Sequence, residues 1–468
     1  MDINDILNKV TFKFTIHGTN TAKVNDLTTN SNEVTTGSCF FAIKGNNLDG
    51  HDYITNAVSG GANVIFCEVL PVELTDGVMY ILVDDTNTVV GPVASIFYGN
   101  PSSKLKIIGV TGTNGKTTVT NIIYKMFMGF HRHVGLIGTL GDFINENPAK
   151  TVRLTPTTPD AIALHKLFLE MVNAGCEYAV MEVSSHAVVQ DRINGVNFIG
   201  GVFTNLTHDH LDFHHTIENY ANAKKSFFDS LDENSWAITN TDDEYGRFMV
   251  RDVVSKVYTY GFSNTVDFGE IIDSKLIGRF NQYNILAAYS VFKVLGFEED
   301  HIKKIIKEID APKGRFELAV QQGGIKAIVD YAHTPDGVEN VLAAAKEINT
   351  NGRIIVLLGC GGDRDKSKRP VMARIAYDMA DILILTSDNP RSEDPESIIN
   401  EMKSGLPEEL EKEVFTVVDR HGAIIKSKEI ARDGDIVMVL GKGHEDYQEI
   451  NGVKNHFDDK EELIKAFV

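Results

Sequence analysis

At 468 residues the chain exceeds what one hydrophobic core usually organises, and with 43% hydrophobic and 24% charged residues it can bury two or three ordinary cores. Its 65 acidic against 45 Lys plus Arg residues, a formal net charge of −20, exclude a basic footprint for nucleic acid, so an anionic ligand has to be held by local devices. No apolar run approaches the ~20 residues needed to span a bilayer, the start MDINDILNKV lacks a secretory pattern, and four scattered cysteines form neither a disulfide framework nor a zinc knuckle, so a cytoplasmic protein with reduced thiols and no membrane insertion is expected.

The first ~100 residues alternate short β-rich runs (GSCFFAIKG, GANVIFCE, VMYILVDD) with turns and end at YGNPSSK, whose Gly, Asn, Pro and Ser read as a linker. From Lys104 the pattern turns to strand then helix: KLKIIGVTG, KTTVTNIIYKMF, HVGLIGTL, TPDAIALHKLFLEMVNAG, CEYAVMEVSS, FIGGVFTN, ENYANAKKSFFDSL and FNQYNILAAYSVFKVLG. Apolar runs of strand length separated by helical periods predict a mostly parallel sheet covered on both faces. A Pro-Lys-Gly interruption at APKGR marks a second boundary, beyond which IKAIVDYAH, GRIIVLLGC, DILILTSD, VFTVVD and DGDIVMVLGKG alternate with helical segments as in a doubly wound domain. The expected fold is therefore α/β in three domains: a small α/β domain at 1–102, a central P-loop ATPase-like domain at 103–313, and a Rossmann-like doubly wound domain at 314–468.

Within the central segment, IIGVTGTNGKTTVTNII runs an apolar strand into a glycine-rich turn (Gly112, Thr113, Asn114, Gly115) and opens a helix with Lys116, Thr117 and Thr118. Backbone N–H groups of such a loop and the helix start bind phosphates, while the lysine supplies a mobile charge and Thr117 a hydroxyl for Mg²⁺. The strict GxxxxGK[ST] spacing is not met, because Val110 stands at its first glycine. ATP is the expected ligand. Two further stretches should end at the same sheet edge: AVMEVSSHA brings Glu182, and GVFTNLTHDHLDFHH brings His208, Asp209, His210, Asp212, His214 and His215. A histidine-rich turn alone suggests zinc; without cysteine partners and beside a phosphate loop, Mg²⁺ is the expectation. In TSDNPRSEDP, Asp388, Asn389, Pro390 and Arg391 cluster where a strand ends, as either a surface turn or a specificity site.

GTNGKTT, EVSSH, TNLTHDHLDFH, NYANAKKSFF, GRFNQYN, PKGRFE, VDYAHTPD, GGDRDKSKRP, DNPR and GKGHE, in this order, resemble the Mur ligase family of peptidoglycan synthesis from about residue 27 to 450. The resemblance implies an ATP-dependent amide ligase in which a substrate carboxylate is phosphorylated and an amine attacks the acyl phosphate. It implies small-molecule substrates (ATP, a UDP-N-acetylmuramoyl dipeptide and meso-diaminopimelate), Mg²⁺ as cofactor, and a monomer. By resemblance, Lys116 and Thr117 bind phosphates and the first Mg²⁺, Glu182 bridges metals, His210 ligates the second, and Lys224 carries a carbamate that supplies metal-ligating oxygens. Its neighbour Lys225 would point roughly 100° away on a helix. Nucleotide contacts fall on Asn281, Asn284, Arg315, Asp330 and His333, with the two asparagines equally open to a helix-capping role. Arg315 could reach the transferring phosphoryl group only if the third domain closes over the second.

For the sugar-peptide substrate the resemblance points to Ser31, Thr157, Thr158, Ser184, Gln190 and Arg192. Asn30-Ser31-Asn32 departs from the family's Asp-Ser-Arg, and Asn46 and Asn47 are offered as substitutes at the uridine end. For the incoming amino acid the resemblance points to Arg364, Asp388, Asn389, Pro390, Arg391, Gly441 and Glu445. Arg391 would fork onto the far carboxylate of diaminopimelate, and lysine, which lacks it, would leave the arginine unpaired at a cost of roughly 2–5 kcal/mol. A lysine-adding or folylpolyglutamate-type ligase of the same architecture, and a P-loop ATPase regulator, remain the alternatives.

Overall fold

The computed structural model describes residues 1–19, 21–45, 48–153, 155–263, 265–349 and 351–468, so the candidate uridine-end residues Asn46 and Asn47 lie outside the described residues. Three sheets succeed one another along the chain. The first orders Thr15–Gly18, Met79–Leu82, Val64–Cys67, Ser38–Phe41 and Asp26–Thr28, with only Thr15–Gly18 antiparallel to its neighbour. Its apolar side packs Phe41 on Phe66 with ring centroids 4.8 Å apart.

The second sheet orders Lys256–Tyr260, Trp236–Asn240, Phe198–Phe203, Lys106–Thr111, Tyr178–Glu182 and Val134–Gly138, all parallel, and adds an antiparallel ribbon of Gly141–Ile144 and Asn147–Pro148. Helices Lys116–Gly129, Arg279–Val294 and Glu299–Glu308 bury one face and Ala161–Asn173 and Ile217–Asp229 the other, which is why its central strands read as unbroken apolar runs. Lys106–Thr111 lies in the middle. Its neighbours are in register with it, Glu182 opposite Val110 and Phe203 opposite Thr111, so the carboxyl ends of the three strands finish level. Val110 is fully buried inside this strand, which explains why the first glycine of the strict motif can be replaced: the turn begins only at Gly112.

The third sheet orders Glu317–Gln322, Ile325–Asp330, Ile436–Leu440, Ile354–Cys360, Ile382–Ser387 and Glu413–Thr416, the first strand antiparallel and the rest parallel. Helices Pro335–Ile348, Lys368–Met379 and Pro395–Lys403 cover one face and Arg420–Ile430 and Asp459–Phe467 the other. A two-stranded hairpin, Tyr447–Ile450 with Val453–His456, stands at its carboxyl edge; its strands are short, the first mostly half-buried and the second exposed, so no apolar alternation marks them in the sequence. Among the described residues no helix is long and apolar enough to cross a membrane.

Candidate active site between two sheet edges

The phosphate loop is shaped by backbone that only glycine adopts readily: Gly112 has φ +150° and Gly115 φ +87°. A Cβ on Gly112 would come within 1.8 Å of Thr204 Oγ1, and one on Gly115 within 2.4 Å of Asn284 Oδ1. Asn205, from the next strand's exit, braces the loop: its carbonyl accepts from Thr113 N at 2.8 Å and its Oδ1 from Asn114 N at 2.9 Å. The N–H groups opening the Lys116–Gly129 helix have no intrahelical acceptors and carry the positive end of its dipole. Lys116 Nζ donates back to the carbonyls of Gly112 and Thr113, each at 2.8 Å.

Lys224 Nζ donates to that same Gly112 carbonyl at 2.8 Å, from a side chain that is 1% exposed and lies over the Tyr220 ring. Two lysine side-chain nitrogens thus converge on one oxygen. Burial, and after it the neighbouring Lys116, hold the Lys224 amine well below its ordinary pKa. Lys225 turns away to pair with Asp229. Glu182 is buried, its carboxylate accepting from Thr139 N at 2.8 Å and Thr139 Oγ1 at 3.0 Å. His210 adopts φ +55° beside Asp209, and burial lowers its imidazole below the ordinary histidine pKa against the pull of Asp209. His214 is occupied by Ser185 Oγ at 2.9 Å, and His208 faces Asp365 of the third domain at 3.3 Å.

The third domain closes the other side. Arg315 Nη2 donates to Thr117 Oγ1 at 3.2 Å, its guanidinium lying 4.5 Å from the Tyr331 ring centre. Asn114 Nδ2 donates to Asp336 Oδ2 at 2.7 Å, and Lys368 Nζ approaches Asp209 at 3.6 Å. Asp330 accepts from Phe316 N and Ala332 N, both at 2.7 Å; burial raises its carboxyl to about 6, against the pull of Arg315. His333 Nδ1 pairs with the Tyr331 carbonyl at 2.8 Å. Between the sheets lies a cavity of about 380 Å³ lined by Gly115, Thr118, Asn284, Arg315, Asp330 and His333 among others. Neither Asn281 nor Asn284 caps the helix: Gly278 does, while Asn281 Nδ2 donates to Ile277 O and Asn284 Nδ2 to Asn281 Oδ1.

A larger cleft of about 1130 Å³ runs from Thr139, Thr157 and His210 to Arg364, Asp388, Asn389, Arg391, Gly441 and Glu445. Asn389 is 1% exposed and fully used, donating to Glu445 Oε2 at 2.6 Å and accepting from Lys442 Nζ at 3.2 Å and Glu449 N at 2.9 Å. It therefore orders Glu445 and the hairpin. Arg391, at φ +51°, donates Nη1 to the Gly362 carbonyl at 2.7 Å, its backbone pairing with Glu449 and Asn451 of the hairpin. Pro390 supplies backbone, its carbonyl accepting from Glu393 N.

Of the sugar-peptide residues, Thr157 reaches the cleft at φ +62°, with Thr139 Oγ1 3.1 Å away. Behind it, Thr158 Oγ1 donates to the Glu182 carbonyl, Arg192 Nη1 to the Thr158 carbonyl at 3.0 Å, and Gln190 accepts from Arg192. Ser184 caps the Ser185–Val189 helix by accepting from Ala187 N. Ser31 sits on the Ser31–Glu33 turn and lines neither cavity.

Sequence reasoning missed Arg369, Arg420, Asp459, Lys368 and Asn205. Arg420 and Asp459, both fully buried, form a two-pronged pair at 2.7 Å, and the same guanidinium holds the carbonyls of Ser387 and Leu440, the last residues of two strands that lead into Asp388 and Gly441. No local pattern announces such a partner.

Family models describing the Mur ligase family catalytic domain, the Mur ligase middle domain and the Mur ligase glutamate ligase domain match residues 23–98, 110–270 and 314–443. The chain is 45% identical to the UDP-N-acetylmuramoyl-L-alanyl-D-glutamate–2,6-diaminopimelate ligase of Bacteroides fragilis, over 97% of this chain and 96% of that one. It is 40% identical to the protein of the same name from Lactiplantibacillus plantarum, over 100% and 98%. Among solved structures, one of a UDP-N-acetylmuramoyl-L-alanyl-D-glutamate–2,6-diaminopimelate ligase matches at TM-score 0.66 and 32% identity, over 95% of this chain and 94% of that chain. A MurF ligase from Thermotoga maritima in complex with ADP shares the fold at TM-score 0.62 and 18% identity, over 94% and 96%.

Proposed function

The chain belongs to the Mur ligase family, and from that premise we propose that it adds 2,6-diaminopimelate to UDP-N-acetylmuramoyl-L-alanyl-D-glutamate at the expense of ATP, in peptidoglycan precursor synthesis. It is an ATP-dependent, ADP-forming amide ligase. The observation that carries the reading is that the two cavities share Tyr331 and His333 in their walls, so a nucleotide on one side and an amine on the other meet at one edge.

The nucleotide lies in the smaller cavity with its phosphates on the Gly112–Thr118 loop, Lys116 and Arg315 compensating the phosphoryl oxygens. Thr157 and the groups behind it hold the peptide so that its free carboxylate oxygen attacks the γ-phosphorus, ADP leaving. The amine of diaminopimelate then attacks the acyl carbon, phosphate leaves with the bonding pair, and the amine's proton passes to solvent or phosphate. Closure of the third domain through Arg315–Thr117 and Asn114–Asp336 keeps water from the acyl phosphate.

Among the described residues no group of three or more His, Cys, Asp or Glu side chains is arranged to hold a metal alone. The Thr117 hydroxyl, the Glu182 carboxylate and the single His210 imidazole suit Mg²⁺, which commonly completes its shell with phosphate and water. Bound there, Mg²⁺ would supply charge neutralisation as two anions approach. Lys224 is assigned as the carbamate-bearing lysine: a bare ammonium sharing one carbonyl with Lys116 repels a cation, whereas a carbamate offers it oxygens.

Arg391 and Arg364 take the far carboxylate of the amino acid, with Asp388 and Glu445 facing its ammonium. The test is a mass-detected product assay offering diaminopimelate and lysine together with the UDP-linked dipeptide, ATP and Mg²⁺. ADP release that requires the dipeptide, with a product carrying diaminopimelate, is expected. Lysine incorporation at a comparable rate, or ATP hydrolysis without the dipeptide, overturns it.

A further inference from the structure

Arg369, in the Lys368–Met379 helix, is fully buried; its Nε has no partner among the described residues, and both terminal nitrogens are held by acceptors, which offsets most of the cost of taking a guanidinium out of water. Its Nη1 donates to Glu393 at 3.0 Å and Glu401 at 2.6 Å, and its Nη2 to Glu393 at 2.8 Å and to the carbonyl of Gly361 at 3.0 Å. Gly361 and Glu393 belong to two different strand-end segments, 361–364 and 390–393. Arg364 comes from the first and Arg391 from the second, and both line the larger cleft.

Further bonds tie the same two segments. Glu393 accepts from Asp363 N at 2.6 Å, Asp363 accepts from Ser392 N at 3.1 Å and Ser392 Oγ at 2.7 Å, and Gly362 N donates to the Asn389 carbonyl at 2.9 Å. Asp363 and Arg391 both hold left-handed backbone, φ +54° and +51°, which non-glycine residues keep only where the surroundings over-determine it. Beneath these direct bonds, Arg369 is the buried side chain that holds both segments at once, through Gly361 and Glu393.

We infer that Arg369 and Glu393 form a positioning pair that sets the distance and aim of Arg391 relative to Arg364, and thereby the selectivity for an acceptor with a carboxylate at its far end. The inference rests on the proposed amino-acid reading of the cleft. Neither residue need touch substrate. A fork that recognises a carboxylate has to be held within a fraction of an ångström, and a buried guanidinium bonded to both loops does this in a way that lysine, with one point of charge, cannot.

The experiment compares wild type with Glu393→Gln, Arg369→Lys and Arg369→Met. Steady-state kinetics are run with each substrate varied in turn, and amide hydrogen exchange is followed over 361–364 and 390–393. Glu393→Gln leaves Arg369 its bonds to Glu401 and Gly361 and keeps the test open where Arg369→Met fails to fold. Expected are a KM for diaminopimelate raised at least tenfold, KM for ATP and dipeptide within twofold, a diaminopimelate-over-lysine preference lowered at least tenfold, and faster exchange in both segments together. A fall in kcat with every KM and the preference unchanged, or faster exchange in one segment only, overturns the inference. Wild-type failure to use diaminopimelate would count against the proposed function, whereas the exchange pattern judges the positioning pair independently of any substrate.

Discussion

The phosphate loop and the acceptor cleft lie on facing edges of two mostly parallel sheets, and in the proposed function both take anionic groups, but they are made from different materials. The loop is seven consecutive residues that offer a phosphate backbone N–H groups, two forced glycine conformations and one helix start, with Lys116 folded back on its own turn. On its third-domain side the cleft draws charged groups from the ends of the Ile354–Cys360, Ile382–Ser387 and Ile436–Leu440 strands, and its aim depends on arginines buried beneath, Arg369 and Arg420. A phosphate needs many donors converging without much selectivity, and backbone supplies them. Discriminating one amino acid from another needs a few side chains at fixed spacing, which only long-range packing provides.

Damage on the loop side should therefore lower turnover, and damage on the cleft side should change choice. Lys224→Ala removes the lysine proposed to carry the carbamate, together with its bond to the Gly112 carbonyl, so kcat should fall on the order of 10²–10³-fold with diaminopimelate preference intact; rates of dipeptide-dependent ADP release check this, and a change in preference would break the division. Arg391→Ala should lower kcat/KM for diaminopimelate on the order of 10²-fold while leaving KM for ATP within twofold and lysine use almost unchanged. Equal loss with both amino acids would show that the arginine shapes the loop and does not read the carboxylate.

Smaller effects sharpen the boundary between the two regions. Asp336→Ala deletes the 2.7 Å bond from Asn114 and should raise KM for ATP about threefold to tenfold, measured at saturating dipeptide and amino acid. Glu393 is held below the usual carboxylate range, first by its bond to Arg369. Because its folded-state pKa is depressed, the stability it lends is complete above the ordinary value of ~4.3 and is lost as pH falls through and below it. The thermal-midpoint difference between wild type and Glu393→Gln should therefore stay constant from pH 8 to pH 6, begin to narrow at about pH 4 and go on narrowing as pH falls towards the depressed folded-state pKa. A difference that widens on acidification would show that Glu393 is not ionised in the folded protein.

By itself the sequence determined the alternation of strand and helix, the glycine turn at Gly112–Gly115, and the level exit of Glu182 and the histidine turn beside it, because each depends on neighbours a few residues apart and on parallel strands ending together. It also marked DNPR, though not what Asn389 does: that amide is consumed in holding Glu445, Lys442 and the hairpin. Only the tertiary structure decided that Lys116 and Lys224 share one carbonyl, that Asn284 presses on Gly115 in place of capping its helix, and that Arg369 and Arg420 lie buried under the acceptor loops. Periodicity and turn chemistry are local and leave a trace in adjacent residues; the partner of a buried charge is chosen by packing between elements far apart in the chain, and no short stretch of sequence records it.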